Sequence, residues 1–83
     1  MWNFQVSQSF LKDLKKLDEK LQERIKAKLK QISVVENPLI LAKKLKGYKN
    51  IYRFRVGNFR IIFSLDQNTI TFEAVDHRKD IYN

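Results

Sequence analysis

The chain has 83 residues, no cysteine, two glycines, one proline, and a formal charge of +8 from seventeen Lys and Arg against nine Asp and Glu. That is a single small domain, residues 1–83, able to bury roughly 60–70% of the surface its unfolded chain exposes. The missing cysteines exclude a disulfide scaffold, a thiolate zinc site and a thiol nucleophile, in keeping with a reducing, cytoplasmic setting.

In chain order, the first ten residues, MWNFQVSQSF, lack the basic-then-apolar layout of a secretory leader, and no run of eighteen apolar residues offers a span, so no membrane partner is expected. Trp2, Phe4 and Val6 alternate with polar neighbours, which predicts a short strand over residues 2–6. Ser7 then caps a helix whose apolar stripe is Phe10, Leu14 and Leu17, with Leu11 beside them. Asp18 caps a second helix, on which Leu21, Ile25, Leu29 and Ile32 repeat the spacing. Lys12, Lys15, Lys16, Lys20, Glu23, Lys26 and Lys30 fall on the opposite faces as a solvated surface. Asn37-Pro38 ends the second helix, because proline lacks the amide donor and biases the residue before it away from helical angles. PLILAKKLKGYKN is expected to be an irregular connector.

Three strands follow, over residues 50–56, 59–65 and 69–76. Gly57-Asn58 suits a two-residue turn of type II′, and Asp66-Gln67-Asn68 forms the next loop. The expected fold class is α+β in the order β-α-α-β-β-β, with two N-terminal helices packed on an antiparallel sheet.

The charge is concentrated in the hairpin and the connector before it. Residues 1–42 hold eight basic and five acidic side chains, residues 43–65 seven basic and none acidic, and residues 66–83 two basic and four acidic. A field so focused attracts polyanions, nucleic acid foremost or an acidic protein segment, and salt weakens the attraction. The two-residue turn predicts the pairs Val56 with Phe59, Arg55 with Arg60, Phe54 with Ile61 and Arg53 with Ile62. Tyr52, Phe54, Val56, Phe59, Ile61, Phe63 and Leu65 then share a core face, and Arg53, Arg55, Arg60 and Ser64 the other. Arg55 and Arg60 have Cβ atoms about 5 Å apart in such a pair, and like charges directly opposite are unfavourable. Folding alone does not select them. A phosphate between two guanidinium forks reverses the sign, because each fork donates paired hydrogen bonds that match phosphate oxygens. Lys43, Lys44, Lys46 and Lys49, just upstream, are expected to extend this phosphate-binding surface. If 65 pairs with 70, Glu73 faces Ile62, diagonal to Arg60, and is one carboxylate against three arginines. The acids after residue 65 do not converge, so no metal site and no cofactor are expected.

KKLKGYKNIYRFRVGNFRIIF followed by VDHRKDIY resembles the RelE/ParE superfamily of toxin–antitoxin toxins, in its RelE-like branch. The resemblance covers nearly the whole chain and rests on K-L-x-G, the Y-R-x-R-x-G-x-x-R hairpin and the closing H-R-x-x-x-Y. It implies a ribosome-dependent endoribonuclease that cleaves mRNA in the decoding site by attack of a ribose 2′-oxygen on the adjacent phosphate. It also implies a cognate antitoxin whose acidic, amphipathic segment masks the basic face. Carried onto this chain, the family's functional positions fall on Arg53, Arg55, Arg60, Arg78 and Tyr82, with Lys44 and Lys46 in the connector that contacts RNA. Arg60 and Arg78 are the candidates for stabilising transition-state charge. Several of these strand positions carry lysine in the best-known relative, and arginine keeps the charge without transferring protons. Proton transfer is left to Tyr82, His77, Lys44 or Lys46; Tyr82 can alternatively stack on a base. Two further functions compete with this one: a ParE-like inhibitor of DNA gyrase, and a non-catalytic RNA-binding protein.

Overall fold

The computed structural model describes residues 2–77. Its elements are β1 (Asn3–Val6), α1 (Gln8–Lys15), α2 (Glu19–Val34), a 3-10 helix (Pro38–Leu41), β2 (Lys43–Lys44), β3 (Ile51–Val56), β4 (Phe59–Asp66) and β5 (Thr69–His77). Both helix starts are capped where the sequence places them. The Ser7 hydroxyl accepts from the Phe10 amide at 3.0 Å and the Asp18 carboxylate from the Leu21 amide at 2.9 Å, so each first turn has one of its orphan donors satisfied. α2 stops at Val34, where Val35 turns extended. The connector after it is more ordered than its sequence suggests. The Asn37 side chain accepts from the Leu39 amide at 3.1 Å, and Pro38 opens the 3-10 helix, where its missing donor costs nothing.

The five strands form one sheet in the order β1-β5-β4-β3-β2. Every pairing is antiparallel except β1 with β5, so the sheet is mixed. The chain leaves β1, crosses one face as α1 and α2, and re-enters the sheet at its far edge. The β3–β4–β5 meander then works back until β5 lies beside β1 and parallel to it, which only such a long crossover permits. Phe10 and Leu14 of α1 and Ile25 and Ile32 of α2 pack on Phe54, Val56, Ile61, Phe63, Ile70 and Phe72, all buried. Burying each such side chain contributes roughly 1.5–3 kcal/mol. Phe72 is the hub: its ring centroid lies 5.9 Å from that of Phe10, 6.0 Å from Phe63, 6.2 Å from Phe4 and 6.3 Å from Phe54.

Two details of β5 govern what happens on the other face. First, β1 pairs with β5 only as far as Phe72, and α1 covers the rest of that edge. The Ser7 amide donates to the Phe72 carbonyl at 2.9 Å, the Ser7 hydroxyl donates to the Glu73 carbonyl at 3.2 Å, and Asp13 Oδ2 accepts from the Val75 amide at 3.0 Å. Backbone groups that lack a strand partner are thereby satisfied. Second, β5 carries a bulge: Phe63 pairs with Phe72 but Ile62 with Ala74, leaving Glu73 as the extra residue. The expected pairing of Glu73 with Ile62 is therefore corrected. Beyond the bulge, Arg60 faces Asp76 and Phe59 faces His77. An unbroken ladder continuing from Phe63 and Phe72 would set Val75 against Arg60 and turn Asp76 to the core side.

Candidate nucleic-acid interface

The hairpin has the register its turn dictates: Val56 with Phe59, Arg55 with Arg60, Phe54 with Ile61, Arg53 with Ile62. Gly57 takes φ +60°, and it is the first central residue alone that needs the left-handed region, as a type II′ turn requires. Residues directly opposite in a ladder point to the same side, so Arg53, Arg55 and Arg60 share the face away from the helices. The short edge strand adds a fourth cation. β2 pairs Lys43 with Arg53 and Lys44 with Tyr52, which puts Lys43 on the arginine face and Lys44 on the opposite one. Two like-charge pairs, Lys43–Arg53 and Arg55–Arg60, thus sit side by side.

Their environments differ. Arg60 is only 6% exposed, the one buried charged side chain among the described residues, whereas Arg53 is half-buried and Arg55 exposed. Burial of a cation is tolerated where a countercharge is held close. The bulge supplies one by turning Asp76 to face Arg60, so an acid does lie among the arginines, contrary to the count taken from the hairpin alone. Glu73 Oε2 accepts from the Ser64 hydroxyl at 2.8 Å on the same face. β2 covers only Tyr52 and Arg53, and where it stops Leu41, Lys43, Arg53, Phe54 and Arg55 line a groove of about 350 Å³ along the exposed edge of β3.

The remaining sequence-derived candidates separate into groups. Lys44, Lys46 and Lys49 surround a second hollow with Gly47 and Tyr48, apart from the arginines. Tyr48 is 61% exposed there, an aromatic among lysines that suits base stacking. His77 packs edge-on against Phe59, with ring centroids 4.9 Å apart, on the core side of the sheet, and is not brought together with Arg53, Arg55 and Arg60. Arg78 and Tyr82 lie outside the described residues. Among those residues no three His, Asp or Glu side chains converge as metal ligands, and no helix is long and apolar enough to cross a membrane.

Three residues were missed from sequence. Asp76 was hidden by the bulge, which no local pattern announces. Tyr48 was legible as the aromatic inside a lysine-rich stretch. Arg24 lies on α2, yet its guanidinium stands 3.1 Å from where a Cβ would sit on Gly57, so it overhangs the hairpin turn.

Comparison with known proteins places this architecture. Residues 4–82 match the family described as ParE toxin of type II toxin–antitoxin system, parDE. Toxin RelE3 of Methanocaldococcus jannaschii is 45% identical over 80 residues, covering 93% of this chain and 91% of the relative. The chain belongs to the RelE/ParE toxin family. Among its RelE relatives, a putative RelE-like toxin protein of Escherichia coli is 35% identical over 88% of this chain and 81% of its own length. The toxin in the crystal structure of a RelB–RelE antitoxin–toxin complex from Methanococcus jannaschii superposes with a TM-score of 0.78 at 38% identity, covering 94% of each chain. The RelBE2 toxin–antitoxin complex of Mycobacterium tuberculosis shares the fold, with a TM-score of 0.76 at 21% identity over 93% of this chain and 98% of that one. This protein is therefore a toxin of the RelE family, built as two helices on a five-stranded mixed sheet.

Proposed function

We propose that this RelE-family toxin is a metal-independent endoribonuclease of the cytoplasm that cleaves mRNA on the ribosome, with the arginine face as its RNA-binding surface. The observation that carries the reading is the pair of adjacent like-charge cross-strand contacts, Lys43–Arg53 and Arg55–Arg60. The Lys43–Arg53 pair is unfavourable for the free protein by up to about 1 kcal/mol, Asp76 offsets part of the penalty at Arg55–Arg60, and a phosphodiester backbone laid across both pairs removes the rest.

In the cleavage, the ribose 2′-oxygen forms a bond to phosphorus as the bond to the 5′-oxygen breaks. The 2′-hydroxyl gives up a proton, the leaving 5′-oxygen takes one, and the two non-bridging oxygens gain charge. Arginines serve the charge: Arg53 and Arg55 hold the strand, while Arg60, fixed by burial, presents a preorganised cation with Arg78. Proton transfer falls to Tyr82 or Lys46; Lys44 and His77 would have to act from the other side of the sheet. Lys43, Lys44, Lys46 and Lys49 extend RNA contact beyond the scissile bond. The complex of the Methanococcus jannaschii relative with its antitoxin supports a cognate antitoxin for this chain as well, an acidic segment that occludes the same cations.

A cell-free translation reaction with added protein, followed by mapping of mRNA 5′ ends, tests the reading. New ends inside codons are expected, lost with Arg53→Ala and with Arg60→Lys while both variants keep a cooperative thermal transition. The match to the ParE toxin family favours one other reading, inhibition of DNA gyrase. Intact mRNA together with blocked DNA supercoiling would decide for it.

A further inference from the structure

The basic surface does not end at the sheet. Arg24 and Lys28, one helical turn apart on α2, line a groove of about 390 Å³ with Gln31, Arg55 and Gly57. Arg55 also lines the groove along β3, so one side chain belongs to both. Among the described residues no acidic one lines either groove; Glu19 and Glu23 of the same helix lie in a different hollow with Gln22 and Lys26. Among the described residues, Arg24 has no hydrogen bond or ion pair to hold it over the turn. It reaches that position because Gly57 has no side chain: a Cβ there would meet the guanidinium nitrogens at 3.1 and 3.3 Å. The turn that sets the hairpin register therefore also leaves room for a helix cation beside Arg55.

We propose that Arg24 and Lys28 form a second phosphate site, which holds the same RNA strand where it leaves the arginine face and crosses the open edge of β3 onto α2. The inference rests on the reading of the arginine face as an RNA surface. Continuity through Arg55 favours one strand over two ligands, and two cations facing a groove that no acid among the described residues lines match a phosphodiester backbone. An acidic peptide lying along the β3 edge is the competing occupant.

The test uses the full chain, its Arg24→Ala/Lys28→Ala double variant and an Arg53→Ala variant. The probes are single-stranded, 2′-O-methylated RNAs of about two and about twelve nucleotides, too short and long enough respectively to span both grooves. Alanine keeps helix propensity at these two positions, and Lys28→Gln provides a second variant that retains the half-buried stem. The double variant is expected to bind the short RNA unchanged and the long RNA about tenfold more weakly. Its slope of log affinity against log salt should be shallower by about 1.4, at about 0.7 per lost phosphate contact on a single strand. An unchanged slope for the long RNA, or equal loss for both lengths, overturns the proposal. So does a result in which a Glu-rich amphipathic peptide, and not the long RNA, depends on Arg24 and Lys28. Arg53→Ala separates the two levels. If it weakens both RNAs while the double variant weakens neither, only the α2 site is lost; if it weakens neither, the RNA reading of the arginine face fails as well.

Discussion

Replacing Arg53 with Glu isolates the conflict between stability and function on this face. Arg53 lies opposite Lys43 in β2 and Ile62 in β4, and among the described residues it has no hydrogen bond or ion pair to lose. The substitution converts a like-charge cross-strand pair into an opposite-charge one. Such pairs are each worth roughly 0.2–1 kcal/mol, so the swing is about 0.5–1.5 kcal/mol, reduced by a few tenths because Glu is the poorer strand former. In a domain of this size a net gain of about 1 kcal/mol raises Tm by roughly 4–8 °C. Arg53→Gln, which removes repulsion without adding attraction, should fall between the two. The gain should shrink in about 0.5 M salt, where the screening length drops to about 4 Å. RNA affinity should move the other way, at least tenfold weaker, with a salt slope shallower by about 0.7. Thermal melts and fluorescence anisotropy at two salt concentrations measure both. A variant that melts below the parent at low salt and still binds RNA at parental strength would refute the claim that this face is selected by its ligand and not by folding.

Asp13→Ala leaves the Val75 amide without its acceptor and should cost about 1–3 kcal/mol in urea unfolding, while Asp13→Asn, which keeps an acceptor oxygen, should recover most of it. Gly57→Ala forces an L-residue into φ +60° and should cost about 1–2 kcal/mol, readable as a lower denaturation midpoint with an unchanged m-value. Deleting Glu73 abolishes the bulge. It leaves Arg60 opposite Asp76, so the cooperative transition should survive at a cost of about 1 kcal/mol for the lost Ser64 hydrogen bond, read in urea unfolding.

Much of this molecule is written in short-range pattern. Period-two alternation and the Gly57-Asn58 turn give the hairpin register residue by residue, because the turn length leaves a single pairing that keeps every apolar side chain on one face. Ser7 and Asp18 locate both helix starts for an equally local reason: a side-chain oxygen reaches an amide only three residues on. The likeness of the hairpin motif to RelE toxins was visible at the same level.

Contacts between distant segments decided the rest. The parallel partnership of β1 and β5 depends on where a two-helix crossover sets the chain down, and β2 is two residues of a basic connector that become a strand only because β3 offers an edge. The bulge at Glu73 lies where β5 pairs with β4 on one side and is bonded by Ser7 and Asp13 on the other, and it turns Asp76 toward Arg60. Arg24 reaches the hairpin turn because α2 packs across the sheet and Gly57 leaves room for it. The sequence by itself determined which residues form one cationic face, since alternation along a strand is a local property of the backbone. Which cation is buried, which acid answers it and how far the positive surface extends were decided by the tertiary structure, because these depend on side chains that meet across segments no periodicity connects.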